Sequence, residues 1–326
     1  MEENIHFETR LNTNQIKEKL DAIRDQIHKV VIGQDQIIDL VLIALLSNGH
    51  ILIEGVPGVA KTLLAKTLAK TIHTGFSRIQ FTPDLMPTDV LGTSIFEAHK
   101  GEFTFKRGPI FSNFILIDEI NRAPAKTQAA LFEVMEEKQV TIDGTTYPMQ
   151  QPFIVVATQN PIEQEGTYRL PEAQLDRFIF KITVDYPTPS QEVELLMLEN
   201  SQKNENKLDA IENVVNASDI VEFQKITKKV LIDTHLIEYI ASIVTETRQN
   251  PLIYLGASPR ASIAVLNAAK AHAILKGRDF VVPEDIKQVI VPVLNHRIVL
   301  SPEKEMEGLT VETVIAQIIN KIESPK

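Results

Sequence analysis

Apolar positions along this chain change period from segment to segment, and each change marks an element. Residues 14 to 29 set Ile16, Leu20, Ile23 and Ile27 at helical spacing among charged residues, which predicts an amphipathic helix. Asp35 to Leu46 is apolar on most sides and predicts a helix buried nearly all round. Shorter runs of a different character follow. His50-Ile51-Leu52-Ile53 predicts a strand, and Leu64, Leu68 and Ile72 beyond it share one face of a helix. Phe114-Ile115-Leu116-Ile117 is a continuous apolar run, as in a strand buried on both faces of a parallel sheet. Phe153 to Thr158 and Phe178 to Val184 predict two more strands, and Pro124 to Glu137 a helix with Leu131 and Met135 four apart.

Two hairpins interrupt this alternation. Ile95-Phe96 and Phe103-Thr104-Phe105 flank a His99-Lys100-Gly101 turn, and Val140-Thr141-Ile142 and Thr145-Thr146-Tyr147 flank Asp143-Gly144, a strong hairpin signal. Tyr186-Pro187-Thr188-Pro189 closes the sheet-forming part. Thr188-Pro189-Ser190-Gln191 then reads as a capping box with proline at the first helical position. Beyond it the pattern is helical throughout. Asp233 to Gln249 places Leu236, Ile237, Ile240 and Val244 on one buried face; Ser258 to Lys276 stops at Gly277; and Val282-Pro283-Glu284-Asp285 opens another helix. Asn200 to Asn216 is polar and reads as a loop or frayed helix. The fold expected is α/β: a parallel sheet with helices on both faces over residues 1–187, including the N-terminal helix 14–29, followed by an all-α helical lid over 188–326.

The segment between the first strand and its helix carries the chemistry. Gly55-Val56-Pro57-Gly58-Val59-Ala60-Lys61-Thr62 is G-x-x-x-x-A-K-T, where the phosphate-loop template is G-x-x-x-x-G-K-[ST]. Backbone N–H groups of such a loop cradle a triphosphate, and the helix N-terminus adds a positive dipole end. Gly55 and Gly58 cover the turn. Ala60 replaces the second glycine, but there the chain is entering the helix, where an alanine backbone is comfortable and its N–H is kept. Lys61 offers a point charge to the β- and γ-phosphates, and Thr62 a hydroxyl to Mg²⁺. The competing reading is a chance glycine turn between strand and helix, and the rest of the chain tests it.

Asp118 and Glu119 end the Phe114 run, and the C-terminal ends of parallel strands are where ligands bind in open α/β sheets. Asp118 suits a Mg²⁺ partner and Glu119 a base that polarises water. Asn160, after the Phe153 run, is a neutral amide able to hold a water at the same edge; asparagine before Pro161 is also an ordinary turn starter. Arg260 follows Ser258, a good N-cap, and Pro259, so it stands in the first turn of a helix. That is the unfavourable end for a cation unless an anion binds there too, although a long arginine stem can also reach water or a carboxylate.

Composition narrows the partners. The chain has 326 residues, 44% hydrophobic and 23% charged, enough for one large or two modest domains. Lys+Arg of 33 against Asp+Glu of 43 gives a net charge of -10, a poor general match to nucleic acid. The Lys225, Lys228 and Lys229 cluster reads as a solvated helix face. No cysteine means no disulfide and no thiolate chemistry, and the eight histidines show no pairing with carboxylates at ligand spacing. The acidic Met1-Glu2-Glu3-Asn4 start has no signal-peptide core, and Leu40 to Leu46 is too short to span a bilayer. A cytoplasmic protein without membrane insertion is expected.

Taken together these segments resemble an AAA+ ATPase of the MoxR family. Val31-Ile32-Gly33-Gln34 resembles the segment lying over the adenine. Gly55 to Thr62 resembles the Walker A loop, whose alanine variant is usual in MoxR proteins. Ile117 to Pro124 resembles Walker B and its exit, and Ala157-Thr158-Gln159-Asn160-Pro161 resembles sensor 1. Leu170 to Phe178 resembles the segment with the arginine finger, placing that role on Arg177, and Gly256 to Ala261 resembles sensor 2, placing that role on Arg260. The resemblance runs from about Val30 into the lid. It implies ATP and Mg²⁺ as cofactors. ATP would be held by Val31, Ile32, Gly55, Val56, Pro57, Gly58, Val59, Ala60, Lys61, Thr62, Leu63, Asp118 and Arg260, and Mg²⁺ by Thr62 and Asp118. Catalysis would fall to Glu119, Asn160, Arg177, Arg260 and Lys61. It further implies a homo-oligomer, a hexameric ring, that remodels protein clients, including von Willebrand factor A domain proteins. In such rings a hairpin like that at 94–107 faces the central opening; a plain surface hairpin has the same sequence pattern. The Ala-Lys pair and hairpin insertions also occur in minichromosome-maintenance helicases, but a DNA motor wants a basic channel. A nucleotide-gated scaffold with little turnover is a third reading, which Glu119 disfavours.

Overall fold

The central element is a five-stranded, all-parallel sheet, in the order Phe76–Gln80, Phe114–Asp118, Ile154–Gln159, His50–Gly55, Phe178–Val184. The computed structural model describes residues 11–55, 61–160, 167–168, 170–201 and 207–325. The apolar runs form these strands because both sheet faces are covered: every residue of Phe114–Asp118 is buried. Ile115, Ile117, Val155 and Ala157 join the side chains of the Ala125–Glu137 helix, Leu131, Phe132 and Met135 among them, in one core. Register aligns the strand ends, pairing Gln80 with Asp118, Ile117 with Ala157 and Glu54 with Gln159. The Phe76–Gln80 strand is not foreseen in the apolar pattern. It lies at the sheet edge and buries only Ile79, so it leaves no apolar run to read.

The helices follow the predicted faces closely. Thr13–His28 buries Ile16, Leu20, Ile23 and Ile27, and Asp35–Leu46 is buried along most of its length. The Lys61–Thr71 helix buries Leu64 and Leu68. Both hairpins form, Gly92–Glu97 with Glu102–Arg107 and Gln139–Ile142 with Thr145–Pro148. The second turns through Asp143 and Gly144 at φ 50° and 77°, the paired positive φ values that a type I′ turn needs. The hairpins also touch each other, through Phe105 on Tyr147 (ring centroids 4.6 Å) and a 2.5 Å hydrogen bond from Ser94 Oγ to Asp143 Oδ2.

The chain divides into two compact units, Ile23–Val221 and a second that joins Met1–Ala22 to Glu222–Lys326. The division falls inside the Thr13–His28 and Ala217–Lys228 helices. At Pro189–Ser201 the capping box is present: Gln191 Oε1 accepts from the Thr188 N–H at 2.9 Å and Thr188 Oγ1 from the Gln191 N–H at 3.4 Å. In the second unit Thr234–Gln249 buries Leu236, Tyr239, Ile240, Ile243 and Val244. Ile237 does not share that face. At 45% exposure it sits on its rim, 100° of helical turn from Leu236. Nor is this region purely helical, because Ile253–Leu255 pairs with Val299–Leu300 in a small antiparallel sheet. Those strands are too short to show an alternation. Three histidines do meet carboxylates among the described residues: His28 Nε2 lies 3.1 Å from Asp35 Oδ1, His235 Nδ1 3.4 Å from Glu238 Oε2, and His272 Nδ1 2.6 Å from Asp285 Oδ1, where Arg278 Nη2 stands at the same distance. Burial pushes the Asp285 carboxyl up, but the His272 and Arg278 hydrogen bonds outweigh it and hold the group below the usual carboxylate range.

His50 ties the sheet to the helix above it. Its Nδ1 accepts from the Val155 N–H at 3.0 Å, so that nitrogen carries no proton, and Nε2 donates to the Met135 carbonyl at 3.1 Å. Desolvation by burial lowers its pKa from 6.5 to about 4, despite the Met135 bond that raises it. The unfolded chain therefore binds the proton more readily than the fold does. Stability is fully present above pH 6.5 and is lost as pH falls towards 4, by about 3 kcal/mol in all. Urea denaturation from pH 7 to 5, above the range of ordinary carboxylates, should show this slope. His50→Asn, although less stable throughout, should flatten it.

Candidate active site

Three strands bring their C-terminal ends to one edge. Gly55 ends the first, and a Cβ there would lie 2.6 Å from the Val184 carbonyl of the neighbouring strand, so only glycine lets the two backbones approach. Val56, Pro57, Gly58, Val59 and Ala60 lie outside the described residues. Lys61 opens the following helix and returns its Nζ to the Gly55 carbonyl at 2.6 Å. Burial lowers the Lys61 pKa, while Asp118, Glu119 and Glu54 each pull it back up. One ammonium group is thus partly dehydrated and faces three carboxylates. Thr62 and Leu63 follow in the first helical turn, both half-buried.

The carboxylates are held from several sides. Asp118 is 9% exposed; its Oδ2 pairs with Arg78 Nε at 2.6 Å and its Oδ1 accepts from Thr158 Oγ1 at 3.2 Å. The same Thr158 hydroxyl accepts from the Glu119 N–H at 3.1 Å. Glu119 has φ 58° and ψ 52°, a left-handed conformation unusual for a residue with a side chain. From there its Oε2 accepts from Gln80 Nε2 at 2.9 Å and pairs with Arg122 Nε at 3.0 Å. Glu54 pairs with Lys181 at 2.7 Å.

Sequence reasoning missed Arg78 and Gln80 altogether. They alternate on the edge strand beside Asp118, and only the strand order brings them to the site. Thr158 was visible as a strand residue and within the segment resembling sensor 1, with no role of its own, and the spacing of Glu119 and Arg122, three apart, was the one local signal for their pairing. Among the other expected residues, Asn160 is half-buried directly after the Ile154–Gln159 strand. Val31 is buried and Ile32 half-buried after the Thr13–His28 helix. Arg177 stands apart from the carboxylates, with Nη1 on Glu136 Oε2 at 2.7 Å and on the Phe132 carbonyl at 3.3 Å. Arg260 is exposed in the first turn of Pro259–Leu275, where Ser258 caps its N–H at 3.1 Å, and belongs to the other unit.

A Mg²⁺ ion fits this donor set. It usually takes one or two protein oxygens and completes its shell with water and substrate phosphates, and Thr62 and Asp118 are hard oxygen donors of that kind. Among the described residues no cluster of three or more histidine or acidic side chains suits a metal held by protein alone.

Residues 50–180 match the family described as the ATPase family associated with various cellular activities (AAA), and residues 245–318 match the AAA lid domain. Chaperone MoxR1 of Mycobacterium tuberculosis is 44% identical over 92% of this chain and 81% of its own length. The chain is a MoxR-family AAA+ ATPase. The Bacillus subtilis protein YeaC is 46% identical over 92% of this chain and 93% of its own. A solved structure from Cytophaga hutchinsonii superposes with a TM-score of 0.89 at 47% identity, over 97% of each chain. In this MoxR-family chain the Thr158 hydroxyl joins both acidic residues, and it is 4% exposed. Thr158→Val keeps the shape but strands the Glu119 N–H, so chemical denaturation should show a loss of about 1–3 kcal/mol.

Proposed function

We propose that this chain hydrolyses ATP with Mg²⁺ in a homo-oligomeric ring, a hexamer, working in the cytoplasm, and uses the cycle to remodel protein complexes. The observation that carries this reading is the gathering of Lys61, Asp118 and Glu119 at one sheet edge, with the Lys61 ammonium partly dehydrated among carboxylates. Such a lysine is ready for phosphate oxygens, which would take over the role of the Gly55 carbonyl now bound to it. The backbone from Gly55 to Ala60 would line the phosphates, and Val31 and Ile32 the adenine. Thr62 and Asp118 would hold Mg²⁺, which screens the charge of the triphosphate when bound. Glu119 would take the proton of the attacking water, and Asn160 would help place that water. Arg260, in the first turn of its helix, offers a cation to the phosphates from the lid.

Arg177 supports the ring. It is tied to Glu136 and the Phe132 carbonyl on the Ala125–Glu137 helix rather than to Asp118 or Glu119, as expected of an arginine that acts in trans on a neighbour's γ-phosphate. The Mycobacterium relative is named a chaperone, which supports protein clients, for which von Willebrand factor A domain proteins are the candidates.

Glu119→Gln should bind ATP normally and turn it over at least about 10²-fold more slowly, the usual scale for losing a general base. Unchanged turnover in the purified oligomer would rule out the hydrolytic role and leave a nucleotide-gated scaffold. Arg177→Ala and Lys61→Ala subunits should each be inactive alone and regain part of the activity when mixed, since some interfaces then pair an intact finger with an intact loop. No recovery from two folded variants would remove the trans role.

A further inference from the structure

The Ala125–Glu137 helix ends against its own dipole. Its last turn carries Glu136 and Glu137 and no basic residue, although a helix C-terminus favours cations. Lys138 follows at the C-cap, and Arg177 adds a second cation from a distant point in the sequence. Its Nη1 reaches both Glu136 Oε2, at 2.7 Å, and the Phe132 carbonyl, at 3.3 Å. Both contacts use one nitrogen. Among the described residues the other edge of the guanidinium, Nε and Nη2, is left for a second acceptor, and such an edge matches phosphate oxygens two at a time.

The backbone on either side of this pair is fixed. Phe178, the next residue after Arg177, is fully buried and meets Phe132 edge-on, with ring centroids 5.8 Å apart. Arg177 is thus set by its neighbour in the chain, and its tip by Glu136, four residues beyond Phe132 on the same helix. The pair is half-exposed, with side chains 26% and 43% accessible, so it adds little to stability. Its geometric consequence is larger, because a guanidinium on a long flexible stem is held to one direction.

We propose that Glu136 is the positioning residue of Arg177: it holds one edge of the guanidinium so that the other is presented to the triphosphate bound in the adjoining copy of this chain. The proposal rests on the reading of Arg177 as a residue that acts in trans. In that arrangement Glu136 never touches the nucleotide of either subunit. It acts on the neighbour's rate through Arg177 alone, and its removal affects only interfaces where that subunit donates the arginine.

The test uses the full chain in mixed rings. Lys61→Ala subunits donate the arginine and Arg177→Ala subunits supply the working site. Adding Glu136→Ala to the Lys61→Ala subunits should lower the recovered turnover roughly tenfold, within the 10²-fold that an ångström of misplacement can cost. The same substitution in the Arg177→Ala subunits, which have no arginine to position, should change it less than twofold. Glu137→Ala in the donor is the control for helix-end charge and should leave turnover unchanged. Equal losses in both arrangements, or none in the donor, would overturn the proposal, as would an equal loss with Glu137→Ala. If the mixture fails to recover before Glu136 is touched, the trans reading itself is what has failed. Alanine is a good helix former and residue 136 is exposed, so the variant folds, and a melt of each subunit checks this.

Discussion

Carboxylates crowd the C-terminal edge of the central sheet, and the site depends on the cations that meet them. Glu54, Asp118 and Glu119 end two strands of one parallel sheet, so their charges share an edge by construction. Repulsion between like charges in a partly buried setting is strong enough to scatter them unless each has a partner. Lys181 takes Glu54, Arg78 takes Asp118 and Arg122 takes Glu119. Lys61 remains in their shared field, disfavoured as a cation by its burial and favoured by all three carboxylates. The triphosphate proposed to bind here would add negative charge to this edge, and Lys61 would then have to supply positive potential without displacing the three outer pairs. The cations of those pairs come from neighbouring strands and a turn, so charge balance among the described residues is a property of the sheet.

That distinction explains which parts of the protein were legible in the sequence. Strands buried on both faces leave unbroken apolar runs, and helices that cover them leave a face of spaced apolar residues, so Phe114–Asp118, Phe178–Val184 and Asp35–Leu46 could be read directly. Caps and turns were legible because they need particular residues, as at Ser258, Gly277 and Asp143-Gly144. An edge strand obeys neither rule. Phe76–Gln80 buries one residue and leaves no apolar run, so neither the strand nor the placement of Arg78 and Gln80 could be read. The residues proposed to touch a nucleotide follow from short local motifs. Residues that hold those residues in place come from neighbouring strands, and only pairing order reveals them.

The hairpins and the Arg177 segment share the helix Ala125–Glu137 as a common support. Gln139–Ile142 starts just beyond its last residue, and Lys138 between them takes φ 52°. Arg177 binds the same end of the helix, so a cation at this terminus lies next to the point where the hairpin begins. The 139–148 hairpin in turn touches the 92–107 hairpin through Ser94 and Phe105. A continuous set of contacts therefore links the arginine to both hairpins. The step at Arg177 and the step between the hairpins are hydrogen bonds and a ring contact, and the step between them is the chain itself at Lys138, so a shift at the helix end has a direct route to both hairpins.

Glu119 carries the backbone strain of this site. A left-handed backbone costs a non-glycine residue roughly 1–2 kcal/mol, and glycine would avoid it. Here the conformation is over-determined: Thr158 takes the N–H, while Gln80 and Arg122 take the carboxylate. Two of those partners stand on other strands, Phe76–Gln80 and Ile154–Gln159, and the third on the short turn that Glu119 itself begins. Glycine at 119 would relieve the backbone and lose the carboxylate that Gln80 and Arg122 hold. A β-branched residue would deepen the strain and could not reach Gln80. Strain of this kind persists only where surrounding structure enforces it, and it clusters where chemistry needs a side chain aimed off its natural line. The turn at Glu119 carries the carboxylate off the line of its strand and onto the edge where Lys61 lies, which the extended backbone of Phe114–Asp118 would not do by itself.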